Sequence, residues 1–245
     1  MKQNKYDDIN FFNKYSKMER SIGGLESAGE WHILKTMLPS FEGKRVLDIG
    51  CGFGWHCRYA SEQKASSIVG IDISEKMLDA AKEKTNDSKI KYECKAVEDI
   101  EFKNEEFDIV ISSLALHYVK NFDEICKKIY NSISGGGDFV FSVEHPIFTA
   151  NAQQDWYYNE DGVLLHWPVD NYQDESIRIT RFLDEEVIKY HRTCSTYINT
   201  LIENGFNIVK ISEPIPPKEM VDENPYLENE FRRPMFLMIS AKKAI

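Results

Sequence analysis

Val46-Leu47-Asp48-Ile49-Gly50-Cys51-Gly52-Phe53-Gly54 is the stretch on which the reading of this 245-residue chain turns. A short run of strand character enters a turn of three glycines, and a helical pattern starts directly behind it. Glycine lets backbone approach a ligand closely, and a helix N-terminus then presents its free N–H groups to it. Dinucleotide-binding folds use a glycine turn too, but their G-x-G-x-x-G spacing requires glycine at position 55. Trp55 stands there, and the third glycine comes early, at Gly54. Asp48, two residues before the first glycine, would repel a pyrophosphate and favour a ligand carrying an ammonium and a sulfonium.

Working outward, residues 44–143 alternate short β-branched runs with stretches of helical spacing, the pattern of βαβ units on a parallel sheet. Strands are expected at 45–49, 67–72, 90–94, 107–112 and 138–143, with helices at 55–63, 74–85 and 122–133 between them. Ser74 is placed to cap its helix, and Gly135-Gly136-Gly137 to stop the last helix before the fifth strand. Beyond residue 143 the rhythm breaks. Residues 144–176 read as an insertion rich in aromatics, 177–182 and 187–192 as a strand pair around the turn Asp184-Glu185-Glu186. A helix capped by Thr193 or Ser195 and ended by Gly205, a strand at 206–212 and a last strand at 235–241 complete the chain. A single α/β domain is expected: an N-terminal helical lid (1–43), a cofactor-binding core (44–143), an insertion and strand pair lining a substrate pocket (144–192), and a C-terminal helix and strands (193–245). Asp72 ends the second strand about 20 residues beyond the turn, where a carboxylate can accept hydrogen bonds from both hydroxyls of a ribose.

These residues, with Glu98-Asp99, Phe107-Asp108-Ile109-Val110 and Gly136-Gly137, resemble the class I S-adenosylmethionine-dependent methyltransferases of the broad type 11 kind. The resemblance covers residues 44–143 and loosens beyond. It implies a doubly wound, Rossmann-like, mostly parallel sheet of about seven strands, the last antiparallel and lying between the fifth and sixth. It implies S-adenosylmethionine as cofactor, S-adenosylhomocysteine as product, and roles for particular positions. Asp48 and the Gly50 carbonyl would lie near the amino group, Gly52 and Gly54 would shape the pocket, and Asp72 would hold the ribose. Ile73 and Met77 would flank the adenine, with Val97 and Glu98 at its edge, and Ser113 and Leu114 would line the methionine moiety. Ala96 departs from the acid often found in the family, which leaves backbone near Val97 or the Glu98 side chain to meet the adenine amino group.

Ligands of open α/β sheets lie over the carboxyl ends of the strands, so the segments leaving those ends are expected to form the acceptor pocket. His145 and His117 are the expected proton acceptors, with Tyr118 as an orienting hydroxyl; a histidine near pKa 6.5 suits that role. Trp156, Tyr157, His191 and Arg233 are candidate pocket residues, and Tyr15 and Arg20 are expected in a lid over the cofactor. The six histidines show no HExxH or paired spacing, so no metal site is expected.

A formal net charge of −10 disfavours nucleic acid, whose binding rests on neutralising phosphates. Five cysteines without a CxxC pair, and no apolar N-terminal run, point to reduced thiols, a cytoplasmic location and no membrane span. A small-molecule acceptor (at oxygen, nitrogen or carbon) is the favoured partner, and a homodimer is left open. The rival readings are a carrier-bound or macromolecular acceptor, a non-catalytic cofactor-binding module, and an oxidoreductase that Asp48 and Trp55 disfavour.

Overall fold

The computed structural model describes residues 3–245. Three short helices open it: α1 (Ile9–Tyr15), α2 (Glu19–Ile22) and α3 (Trp31–Met37). The alternating core follows: β1 (Arg45–Ile49), α4 (Trp55–Glu62), β2 (Ser67–Asp72), α5 (Glu75–Glu83), β3 (Ile90–Cys94), β4 (Phe107–Ser113), α6 (Phe122–Ser132) and β5 (Ile133–Glu144). The insertion contributes α7 (Pro146–Ala150), the small hairpin β6 (Tyr157–Tyr158) and β7 (Leu164–His166), and a longer hairpin, β8 (Ile177–Phe182) and β9 (Glu185–Tyr190). The chain ends with α8 (Cys194–Glu203), β10 (Phe206–Ser212), α9 (Lys218–Glu223) and β11 (Phe236–Lys243).

Seven strands form one sheet in the order β10-β11-β5-β4-β1-β2-β3. β11 is antiparallel to both neighbours and the other pairs are parallel, so the last strand lies reversed between the fifth and sixth, as the resemblance implied. Side chains alternate between faces along a strand. Leu47, Ile49, Val110, Phe139 and Phe141 bury against α6 and α8, while Val46, Ile68, Ile109 and Ile111 pack with α4 and α5 on the other face. Val140 and Met238 meet α3 on that second face. Among the described residues no helix is long and apolar enough to cross a membrane.

Ser74 caps α5, its hydroxyl accepting from the Met77 N–H, and Thr193 caps α8. Two boundaries differ from expectation. The three glycines lie inside β5, which starts at Ile133. Gly137 is the physical reason: a Cβ there would come within 2.7 Å of the Asp108 carbonyl, so glycine lets the strand begin early, across a register shift in the β4–β5 pairing. The hairpin turn is Leu183-Asp184, both at positive φ, so β9 starts at Glu185 inside the acidic run.

Candidate active site

A cavity of about 480 Å³ lies over the carboxyl ends of β1, β2, β4 and β5. Gly50 and Gly52 form its floor. Gly50 sits at φ 71°, where a Cβ would press within 2.4 Å of the Ala115 Cβ; at Gly52 (φ 52°) it would stand 3.2 Å from the Met77 Cε. Backbone therefore replaces side chain where a ligand must come closest. Gly54 shapes the turn from outside, since a Cβ there would run into the Tyr92 ring and hydroxyl. Leu114 adopts φ 54° at the end of β4, an unusual conformation for a branched residue, held by hydrogen bonds from its N–H to the Ser142 carbonyl and hydroxyl.

Asp72 and Asp48 supply the negative charge. Asp72 lines the cavity, accepting from the Gly52 N–H (2.9 Å) and the Ser74 N–H (2.9 Å), one on each oxygen. Burial raises its pKa although those bonds pull the other way. Asp48 shares a strand face with Val46 and so turns toward α4, where the Cys57 thiol donates to one carboxylate oxygen at 3.2 Å. The other oxygen is buried without a partner. Burial lifts this carboxyl to about 7. Asp48 does not itself line the cavity, although Ile49 and Gly50 beside it do. An orphaned buried carboxyl next to a bare glycine floor, with the cavity-lining Asp72 carboxyl one strand over, fits a ligand that brings a cationic head and hydroxyl donors. Ile73, Met77, Val97, Glu98, Ser113 and Leu114 line the same cavity.

The roof comes from residues far away in sequence. Tyr6 and Tyr15 from the N-terminal segment line the cavity, with Tyr6 hydrogen-bonded to Tyr118 and packed edge-on against Tyr15. That segment is fastened to the β8–β9 hairpin: the Ile188 N–H donates to Gln3 at 2.7 Å, Lys5 pairs with Glu185 at 3.4 Å, and Lys14 pairs with Asp184 at 3.0 Å. Arg20 lines the cavity and is paired to the buried Glu30 at 2.7 Å.

At the far end His117 and Tyr118 line the cavity, and His145 does not. The expected placement of His145 is corrected by strand alternation. Glu144 continues the face of Val140 and Ser142, toward the N-terminal helices, so the next residue turns to the opposite face. There His145 accepts from the Ile147 N–H through Nδ1 (3.0 Å), capping α7, and its Nε2 meets Glu213 at 2.8 Å. His117 stays in the cavity wall, where its Nδ1 accepts from the Glu144 N–H at 3.4 Å and burial lowers its pKa to about 4. Of the expected pocket residues, Trp156 and Arg233 stand behind the wall. Arg233, held by Glu230 at 2.6 Å, lies over Trp167 and Phe148, and only Phe148 of this stack lines the cavity. Tyr157 is exposed beside His166. His191 is buried between the Thr149 hydroxyl and the Tyr172 carbonyl.

The polar group that does face the cavity is Glu144, with Lys189 from β9 and Gln154 from the insertion. Lys189 Nζ lies 2.6 Å from Glu144 Oε1 and 2.8 Å from Gln154 Oε1, and Gln154 donates to Glu144 Oε2 at 2.9 Å. Burial pushes the Glu144 carboxyl up, but His117, the Lys189 ammonium and these hydrogen bonds outweigh it and hold it below the usual carboxylate range. The signal for this cluster was present in period two: Val187 and Lys189 share a face of a strand pair, and Glu144 ends an otherwise apolar run. Among the described residues no cluster of histidine, cysteine, aspartate or glutamate is arranged to hold a metal ion.

The methyltransferase domain family model matches residues 47–141. A Listeria monocytogenes chain assigned as an S-adenosylmethionine dependent methyltransferase is 55% identical, with 91% of this chain and 100% of that chain covered and a TM-score of 0.86. An S-adenosylmethionine dependent methyltransferase of Mesorhizobium loti is 42% identical over 90% of this chain and 100% of its own, with a TM-score of 0.84. An uncharacterized protein of Haemophilus influenzae is 32% identical over 97% of this chain and 96% of its own. With S-adenosylmethionine as its cofactor, the chain belongs to the class I S-adenosylmethionine-dependent methyltransferases.

Proposed function

We propose that this enzyme methylates a small molecule enclosed in the cavity between the glycine turn and the Glu144 cluster. One observation carries the reading: the space over the strand ends is roofed by residues 3–20, which are themselves fastened to the β8–β9 hairpin. At about 480 Å³ it falls within the range of small-molecule sites, roughly 300–1,000 Å³. A chain of nucleic acid or protein would have to displace that roof.

In this reading Asp72 accepts from the ribose hydroxyls and the free Asp48 oxygen answers the amino group. Gly50 and Gly52 let backbone approach the cofactor, Ile73 and Met77 flank its adenine, and Val97 and Glu98 meet the adenine edge. Ser113, Leu114 and Tyr15 border the methionine end. The bound cofactor supplies an electrophilic methyl group on a sulfonium. The protein's contribution is then to hold the acceptor in line, keep water out beneath the tyrosine roof, and receive a proton where the acceptor loses one. Glu144 is the group placed for that proton, and Tyr118 orients the acceptor from the roof.

The test is label transfer. Purified protein is incubated with methyl-labelled S-adenosylmethionine and a soluble extract split by ultrafiltration. Label should enter the low-molecular-weight fraction. Label confined to protein, carrier or nucleic acid would overturn the small-molecule reading.

A further inference from the structure

We propose that the acceptor is a neutral, planar molecule with an acidic hydroxyl, a phenol or enol, whose O–H is received by Glu144 and whose oxygen is held by Lys189. The inference rests on the acceptor cavity proposed above and names what fits its far end.

Charge balance excludes the alternatives. Five cations line the cavity among the described residues, and every one has a carboxylate partner: Lys5 with Glu185, Arg20 with Glu30, Lys95 with Glu93, Arg181 with Asp184, and Lys189 with Glu144. An anionic acceptor would therefore enter without a counter-charge, which is costly away from water. A cationic acceptor meets the same obstacle at this end, because the Glu144 charge is already answered by an ammonium 2.6 Å away, and the other lining carboxylates, Asp72 and Glu98, face the cofactor in the reading above. A neutral head escapes both penalties.

Hydrogen-bond capacity then selects a hydroxyl. Lys189 spends two of its three N–H groups on Glu144 and Gln154, leaving one donor. Each Glu144 oxygen accepts one bond from this pair and keeps a further lone pair. One donor beside one acceptor matches a group that gives and takes at the same atom. The walls around it are Phe148, Phe182, Val187 and Phe236, which suit a flat apolar body.

Acidity narrows the choice further. Glu144 is held ionised and is a weak base, so it can relieve an acceptor of its proton only when that proton is already labile. A phenolic hydroxyl ionises near pKa 10, as in tyrosine, and the Lys189 ammonium stabilises the oxyanion that forms. The acceptor oxygen bonds to the methyl carbon as the sulfur–methyl bond breaks, its electron pair remaining on sulfur. The hydroxyl proton passes to Glu144 and then to water.

The test measures binding to protein saturated with S-adenosylhomocysteine, using p-ethylphenol, p-ethylbenzoate and p-ethylbenzylamine as probes matched in shape and differing in head charge. The phenol should bind about tenfold more tightly than either charged probe. Lys189→Met, which leaves Glu144 without its counter-charge, should shift preference toward the benzylammonium, and Glu144→Gln should weaken the phenol. A charged probe binding wild type as well as the phenol does would overturn the assignment. So would failure of all three to bind at millimolar concentration, or phenol affinity unchanged in a folded Glu144→Gln protein. Retained S-adenosylhomocysteine binding in the same titrations keeps the cofactor site separate from this outcome, and label entering small molecules that lack an acidic hydroxyl would reject the hydroxyl while sparing the small-molecule reading.

Discussion

Asp48, behind the glycine floor, and His117, in the cavity wall, are buried titratable groups, and burial moves them in opposite directions. Asp48, lifted from 3.8 to about 7, keeps a proton in the folded chain over a range where the unfolded chain has lost it. Its contribution to ligand-free stability therefore falls as pH rises from 3.8 to about 7. His117, pushed down from 6.5 to about 4, acts the other way, so stability is lost as pH falls through that window. The difference between wild type and Asp48→Asn isolates the first effect: urea unfolding should show the variant gaining relative stability as pH rises toward 7. In the proposed reading the ionised form answers the cofactor's amino group, so wild-type S-adenosylhomocysteine affinity should rise through pH 7 and the variant's should stay flat; equal slopes in titration calorimetry would remove Asp48 from the site. The imidazole of His117 should stay neutral by NMR down to about pH 4. His145→Ala removes an N-cap and a Glu213 contact, so we expect a loss of about 1 kcal/mol in stability with cofactor affinity unchanged. A large fall in that affinity would return His145 to the cavity. Glu144 and His145 are consecutive, and the reading from sequence chose the histidine by its chemistry. Which of two neighbours faces a ligand depends on strand phase at the last rung, and phase there is set by the pairing of β5 with β11, a contact no local pattern reveals.

The elements between β1 and β4 were legible because their periodicities are local and strong. Their bounds and the roles of Gly50, Gly52 and Asp72 as cavity-lining positions follow from one turn and one strand end. The acceptor side was not. Lys189 reads as a strand charge, and nothing near it in sequence says that its strand folds over a glycine turn some 140 positions earlier. The aromatic insertion misled for a related reason: Trp156, Trp167 and Arg233 build a stack behind Phe148, so bulk that resembled pocket lining is its support. At this scale the N-terminal segment and the β8–β9 hairpin act together, joined by Gln3–Ile188 and two ion pairs. Hydrogen exchange should slow at residues 6–20 and at 183–188 together when S-adenosylhomocysteine binds. Slowing in one without the other would show that the two elements close independently.

For the whole molecule, a ligand that binds only the folded chain stabilises by mass action. S-adenosylhomocysteine at a hundred times its Kd should add about 2.7 kcal/mol, a Tm increase of about 5–11 °C for a chain of this size. NAD at the same concentration should add nothing, since the glycine turn departs from the dinucleotide spacing at Trp55; an equal shift would reopen the dinucleotide reading. The roof has a further consequence in time. Gln3 and Lys14 find their partners 185 and 170 positions later, in the β8–β9 hairpin. Synthesis adds about 5–20 residues per second, so these residues exist for about 10–35 s before the hairpin that seats them has been made. Until then the glycine turn and its acids stand under an unfinished cover, and a nascent chain paused before residue 190 has the floor of the site without the clasp that shuts it.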